Sequence, residues 1–235
     1  MHKIINGILN ILYPRHCPVC HKILKNQQRL VCPECETAFV PISGNRCFRC
    51  SKPVEVEQEY CKECILAKRE FDEGLGLFFY DEKIKGSLLQ YKYSGRREYG
   101  DFYAVLMSCY AKEKICQWKP HVIVPIPMHK RKQRMRGFNQ AAYLAERIGD
   151  YYEIPVAKEL LCKVQSTKSQ KKLDAASRRK NLQKAFSVTE SVNGLRILLV
   201  DDVYTTGSTM DAAAARLKES GAAAVFFLTF AIGRS

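Results

Sequence analysis

Eight of the eleven cysteines fall before residue 65, as four Cys-x-x-Cys pairs: Cys17/Cys20, Cys32/Cys35, Cys47/Cys50 and Cys61/Cys64. The gaps between successive pairs are 11, 11 and 10 residues. Two thiolates spaced by two residues on a tight turn face one cation, and two such knuckles close a tetrahedral site. Pro18 and Pro33 lie inside two of the pairs and suit the turn. Eight ligands therefore imply two zinc ions. Sequential pairing makes each site a local hairpin with little loop-closure cost; a cross-brace of first with third and second with fourth pair is the alternative. A segment this short cannot build its own core, so metal staples it. A contact role, to nucleic acid or protein, stays open beside the structural one.

Cys17-Pro-Val-Cys20-His21 also has the form of a c-type haem attachment site. That chemistry needs export, and the N-terminus carries no export signal. Ile4 to Leu12 is short, is interrupted by Asn6, Gly7 and Asn10, and is followed by no small-residue cleavage site. Ile4, Ile5, Ile8, Leu9 and Leu12 fit one face of a short packing helix instead. No stretch approaches the roughly 18 apolar residues of a membrane span. The expected location is the cytoplasm, where thiols stay reduced and cysteine pairs point to metal. Cys109, Cys116 and Cys162 sit among apolar neighbours and read as core residues.

The cysteine pairs end before residue 70, so a zinc module is expected over residues 1–70 and a second domain over 71–235. That second part alternates strand and helix. Strands are expected at Leu75–Tyr80, Val122–Ile126, Leu160–Val164, Arg196–Val200 and Ala224–Ile232. Helices are expected from Glu98 to about Trp118, from Asn139 to about Asp150, and over Ser208–Ser220, closed by Gly221. The inward face of the first is read as Phe102, Val105, Leu106, Cys109 and Tyr110, and of the second as Ala141, Leu144, Ala145 and Ile148. Apolar strands alternating with helices mean an α/β fold, a parallel sheet with helices on both faces. Between Gln165 and Lys184 the chain is polar, basic and weakly periodic; it reads as a loop, with a short helix near Ala175–Leu182.

Chemistry concentrates in Ile197-Leu-Leu-Val-Asp-Asp-Val-Tyr-Thr-Thr-Gly-Ser-Thr209. An apolar strand ends in Asp201 and Asp202. Val203 and Tyr204 lead into Thr205, Thr206, Gly207, Ser208 and Thr209, which open a helix. Ligands of open α/β sheets bind beyond the carboxyl ends of strands. Gly207 lets backbone approach an anion, while successive N–H groups, the helix N-terminus and the hydroxyls attract phosphate. The carboxylates need a different partner, and vicinal ribose hydroxyls suit them. One segment thus matches both halves of a ribose 5-phosphate.

Net charge is +14, which points to a polyanionic partner. The charge is clustered. Five of the eight residues from His129 to Arg136 are Lys or Arg, and Lys163 to Lys184 holds eight basic residues against one acidic, Asp174.

The segment Ile197–Thr209 resembles the ribose-phosphate loop of type I phosphoribosyltransferases. Val124-Pro-Ile-Pro-Met-His129 with Arg136-Gly-Phe-Asn-Gln140 narrows the match to the ComF family of ComFC-type competence proteins, as do Gln170, Leu173, Arg178, Asn181 and Phe186. The four knuckles complete a resemblance that covers essentially the whole chain. It implies that Asp201 and Asp202 hold the ribose hydroxyls of phosphoribosyl pyrophosphate with Mg²⁺ nearby, and that Val203 to Thr209 surround the 5-phosphate. The turn carrying His129 and Lys130, with Arg136 beyond it, would face the pyrophosphate. Lys168, Lys171, Lys172, Arg178, Arg179 and Lys180 are candidates to close over it. The resemblance further implies natural transformation, single-stranded DNA as a partner, and a ComFA-like DNA helicase or ATPase as a second. An active phosphoribosyltransferase with an unknown acceptor is the alternative. The chain ends three residues after the last expected strand, so an acceptor-side hood is expected from the N-terminal side. Tyr91, Tyr93, Tyr99 and Phe138 could stack bases, although such residues more often pack in cores.

Overall fold

A computed structural model describes residues 13–164 and 185–234. The expected N-terminal helix and the short helix at 175–182 lie outside the described residues. The central sheet has four parallel strands in the order β1 (Glu73–Phe79), β6 (Ala224–Ile232), β5 (Arg196–Tyr204), β2 (Val122–Pro125). Residues 155–157 run beside β2 through a parallel bridge of Val156 to Ile123. The apolar run Ile197–Val200 lies at the centre of this sheet and is fully buried.

Leu160–Val164 departs from expectation. Its ordered part, β3 (Leu161–Lys163), pairs antiparallel with β4 (Phe186–Val188) in a separate two-stranded sheet. Only one face of that ribbon is buried, which explains its weaker apolar signal.

The helices are α1 (Lys62–Leu66), α2 (Glu82–Tyr93), α3 (Tyr99–Trp118), α4 (Lys130–Arg136), α5 (Gln140–Tyr152) and α6 (Ser208–Glu219). Among the described residues no helix is long and apolar enough to cross a membrane. In α5 the expected residues Ala141, Leu144, Ala145 and Ile148 all face inward. In α3 the buried face is rotated from the expected one: Tyr99, Phe102, Tyr103, Met107, Ala111, Ile115 and Trp118 are buried, while Val105, Tyr110 and Cys109 are exposed. Aromatic bulk on Tyr103 and Trp118 decides which stripe of this largely apolar helix packs. Trp118 stacks on Phe226 at 5.1 Å and donates its indole N–H to Glu73 at 2.8 Å. The reading of Cys109, Cys116 and Cys162 as core is corrected with it: the first two are exposed and the third is half-buried.

The cysteine-rich segment straddles the outer edge of β1. Its first half supplies Cys17, Leu24, Val31 and Phe39 to the core on the α3 side of the sheet. Its second half supplies Ile42, Cys47, Cys50, Cys61 and Phe71 to the core on the α6 side. Between them, Ile42 N–H donates to Leu77 C=O at 2.9 Å, and Arg46 donates to Gly76 C=O at 2.7 Å. An exposed parallel edge invites pairing with other chains; here the metal-binding segment covers it.

Candidate functional site

The strand β5 runs four residues beyond its apolar run because β6 continues to pair with it: Asp201 stands opposite Thr229, Val203 opposite Ala231 and Tyr204 opposite Ile232. Asp201 is half-buried and Asp202 buried, and Asp202 N–H donates to Asp201 Oδ1 at 2.9 Å. Burial, then the adjacent Asp202 carboxylate, pushes the Asp201 carboxyl up to about 8. Asp202 forms an ion pair with Lys92 of α2, whose side chain is only 17% exposed. Burial alone would lower the Lys92 pKa; the Asp202 charge outweighs it and holds the ammonium above its ordinary value.

Beyond Tyr204 the chain turns through exposed Thr205 and Thr206 into Gly207, with φ +79. A side chain there would collide with the Tyr204 ring as well as strain the backbone. The Tyr204 ring stacks on Phe227 at 4.7 Å and forms the floor under the loop. Burial raises the pKa of its hydroxyl, so it stays neutral. No side chain caps the N-terminus of α6. Thr206 and Ser208 hydroxyls lie 3.0 Å apart, and half-buried Thr209 follows in the first turn. Ser208 N–H makes only a long contact with the Thr206 hydroxyl, at 3.5 Å, and a helix N-terminus with its partial positive charge beside two hydroxyls is what a phosphate needs.

The second expected loop leaves the adjacent strand β2. Ile126 N–H donates to Val200 C=O at 2.9 Å, so the two strand ends stay side by side. Asn139 fixes the turn: its side chain donates to Ile126 C=O at 3.2 Å and accepts from Ala141 N–H at 3.1 Å. His129 caps α4, accepting from Arg131 N–H at 3.2 Å. Lys130, Arg131, Lys132 and Arg134 are exposed on this helix. Arg136 is less free: it stacks over Tyr93 of α2 at 4.6 Å and donates to Gln140 at 3.0 Å. It therefore ties α2 to the β2 side of the sheet end.

A cleft of about 460 Å³ lies against Pro127–Lys130, Phe138, Asn139 and Tyr143 on one wall and Lys158–Lys163 on the other. Neither the carboxylates nor Thr205–Thr209 line it. It is a neighbour of the strand-end site and not the same space. Of the proposed base-stacking aromatics, Tyr91 and Tyr99 are buried core residues, and Phe138 carries Arg97 over its ring at 5.4 Å. The basic positions between 168 and 180 lie outside the described residues.

The element that follows β1 at the carboxyl edge and reaches Asp202 is α2, which lies on the N-terminal side from which the acceptor-side hood is expected. Its signal was present in the sequence: Asp81 caps it by accepting from Ile84 N–H at 2.8 Å, and Ile84, Leu88 and Tyr91 form a buried stripe at helical spacing. Lys92, the residue that pairs with Asp202, is the candidate site residue that sequence reasoning missed.

The thiols group sequentially. Cys17, Cys20, Cys32 and Cys35 form one tetrad and Cys47, Cys50, Cys61 and Cys64 the other, with the sulfur atoms of each within 4.8 Å of one another. Four thiolates at that separation fit a tetrahedral zinc ion. His21 is not engaged with either set; it lies 3.0 Å from the Tyr99 hydroxyl.

Residues 8–65 match the double zinc ribbon domain, and residues 109–234 match the phosphoribosyl transferase domain. The chain is 28% identical over 212 residues to competence protein F of Haemophilus influenzae, covering 88% of this chain and 90% of that protein. It is 30% identical over 211 residues to competence protein ComFC of Bacillus subtilis, covering 86% and 83%. It is 28% identical over 215 residues to the DNA utilization protein YhgH of Salmonella typhimurium, covering 90% and 94%. A purine phosphoribosyltransferase crystal structure from Pyrococcus horikoshii Ot3 aligns with 56% of this chain and 73% of its own at 21% identity, with a TM-score of 0.35.

Proposed function

Because the chain belongs to the ComF family of competence proteins, we propose that it binds phosphoribosyl pyrophosphate with Mg²⁺ at the end of β5 and handles single-stranded DNA in natural transformation. The observation that carries the ligand is the sequence of groups along one strand end: two carboxylates, a glycine turn, paired hydroxyls and an uncapped helix. Asp201 and Asp202 accept from the ribose hydroxyls. The amides after Gly207, with Thr205, Thr206, Ser208 and Thr209, hold the 5-phosphate. The turn at Pro127–Lys130, on the neighbouring strand, faces the pyrophosphate. Mg²⁺ neutralises charge on the pyrophosphate when bound. The Asp201 carboxylate accepts from a ribose hydroxyl more strongly than its protonated form does, so binding strengthens as pH rises towards about 8.

Residues 1–70 act as the zinc-stapled module and 71–235 as the ligand domain. The exposed cations of α4 give single-stranded DNA a sequence-independent phosphate track, with a competence ATPase as the protein partner and the cytoplasm as the setting. A transferase with an unidentified acceptor is the second reading; Lys92 favours it, because a buried cation beside the carboxylates could stabilise a pyrophosphate leaving group.

Thermal unfolding with and without the ligand tests the binding reading. Saturating ligand at about 100 times Kd stabilises by roughly 2.7 kcal/mol. Stabilisation should vanish in Asp201→Asn/Asp202→Asn. Equal stabilisation in that variant would place the ligand elsewhere. Release of pyrophosphate with a panel of bases separates the enzyme from the binder.

A further inference from the structure

We propose that the second cysteine tetrad is part of the scaffold of the loop at Thr205–Thr209, and that Arg69 is the positioning residue joining them. The proposal rests on the reading of that loop as the phosphate site. Arg69 follows Cys64 by five residues, its side chain is 8% exposed, and it donates to Thr206 C=O at 3.1 Å. It also faces Glu63, which neighbours Cys64, at 3.9 Å. Glu63 is itself held by buried Lys52, at 2.7 and 2.8 Å. Lys52 in turn belongs to the knuckle of Cys47 and Cys50: its C=O accepts from Cys47 N–H at 2.7 Å. A continuous line of contacts thus runs from the tetrad through Glu63 and Arg69 to the loop.

The neighbours of Arg69 fix it from both sides. Arg49 donates to the carbonyls of Arg69 and Phe71, at 3.3 and 3.1 Å. Glu70 N–H donates to Asp211 in the first turn of α6 at 2.7 Å. Phe71, fully buried, packs edge-on against Phe227 at 4.9 Å and Tyr204 at 6.3 Å, beneath the same loop. The consequence is stereochemical. In a planar trans peptide the C=O and the next N–H point in opposite directions. With Thr206 C=O held by Arg69, the Gly207 N–H is turned away from the ribbon and is available to an anion. The first tetrad lies on the opposite face of the sheet and, among the described residues, has no such line to the loop.

The test uses the full chain loaded with zinc. Arg69→Met keeps the apolar stem and removes the donor. A hydrogen bond from a charged group is worth about tenfold in the opening equilibrium of the loop. Amide exchange at Asp211 and Gly233, whose N–H groups donate to Gly207 C=O and Tyr204 C=O at the two ends of the loop at 2.8 Å, should therefore accelerate by about that factor in Arg69→Met with both zinc ions retained. Affinity for ribose 5-phosphate should weaken by a similar factor. Arg69→Lys should recover part of both. Cys64→Ser should lose one zinc and loosen the loop, and Cys20→Ser should lose one zinc and leave loop exchange unchanged. Unchanged exchange in Arg69→Met would overturn the proposal, as would equal loosening by Cys20→Ser. If a cysteine variant fails to fold, Arg69→Met decides alone. If the wild type binds no ribose 5-phosphate, the phosphate reading fails, while the exchange comparison still judges the scaffold.

Discussion

Replacing Lys92 with Met keeps the length and apolar stem of the side chain and removes only its charge. The ion pair it forms with Asp202 is nearly dry, with side-chain exposures of 17% and 10%. Removing one member of a buried pair costs about 3–5 kcal/mol, because the other charge is left uncompensated. The Asp202 charge holds the Lys92 ammonium above its ordinary value, so the pair's contribution is fully present at neutral pH and is lost only as pH rises through the Lys92 titration. Urea unfolding of the zinc-loaded protein near pH 7 should show a deficit of about 3 kcal/mol. A deficit below about 0.5 kcal/mol, the range of an ordinary surface change, would refute the pairing.

Asp201→Asn should raise stability above that of the wild type, by a margin that opens from about pH 4 and is complete near pH 8. The folded-state carboxyl is pushed up to about 8, so the wild type alone loses stability across that window; parallel curves in a pH series of denaturation midpoints would contradict this. Metal analysis of protein purified without chelator should give two zinc per chain, and Cys32→Ser should give one, with packing lost at Leu24 and Phe39 in near-ultraviolet dichroism. Single-stranded DNA affinity should fall with salt at a log–log slope of roughly −0.7 per phosphate contacted. Lys130→Glu/Arg131→Glu/Lys132→Glu should weaken it for all sequences alike; full affinity in that triple variant would leave these cations to the pyrophosphate alone.

What the sequence made legible was local. Ile197–Val200 reads as a buried strand from its apolar run alone, and Asp201 to Thr209 announces its chemistry because the groups are consecutive. The tetrads were readable because each closes over a short hairpin. What stayed hidden depends on distant partners. The continuation of β5 to Tyr204 is imposed by β6 and not by its two aspartates. The hairpin of β3 and β4 joins residues on either side of a long polar stretch, so Leu160–Val164 resembled one more strand of the main sheet. The buried face of α3 was misjudged because apolar residues surround most of that helix, and only packing against Phe226 and Phe230 selects the stripe. In α2, Lys83, Lys85 and Lys92 diluted the pattern of Ile84, Leu88 and Tyr91, and with the helix went the lysine that meets Asp202.

The central claim is where the ligand binds, and amide chemical shifts report that directly. Titration of the zinc-loaded, isotope-labelled protein with phosphoribosyl pyrophosphate and Mg²⁺ should move the amides of Asp201, Asp202 and Gly207–Thr209 together with those of Met128–Lys130, saturating at one ligand per chain. Asp201→Asn should need at least about tenfold more ligand to reach the same shifts, the loss expected for one charged hydrogen bond. Shifts confined to Lys158–Lys163 and the cleft beside them, or none at Gly207 at saturation, would contradict the account.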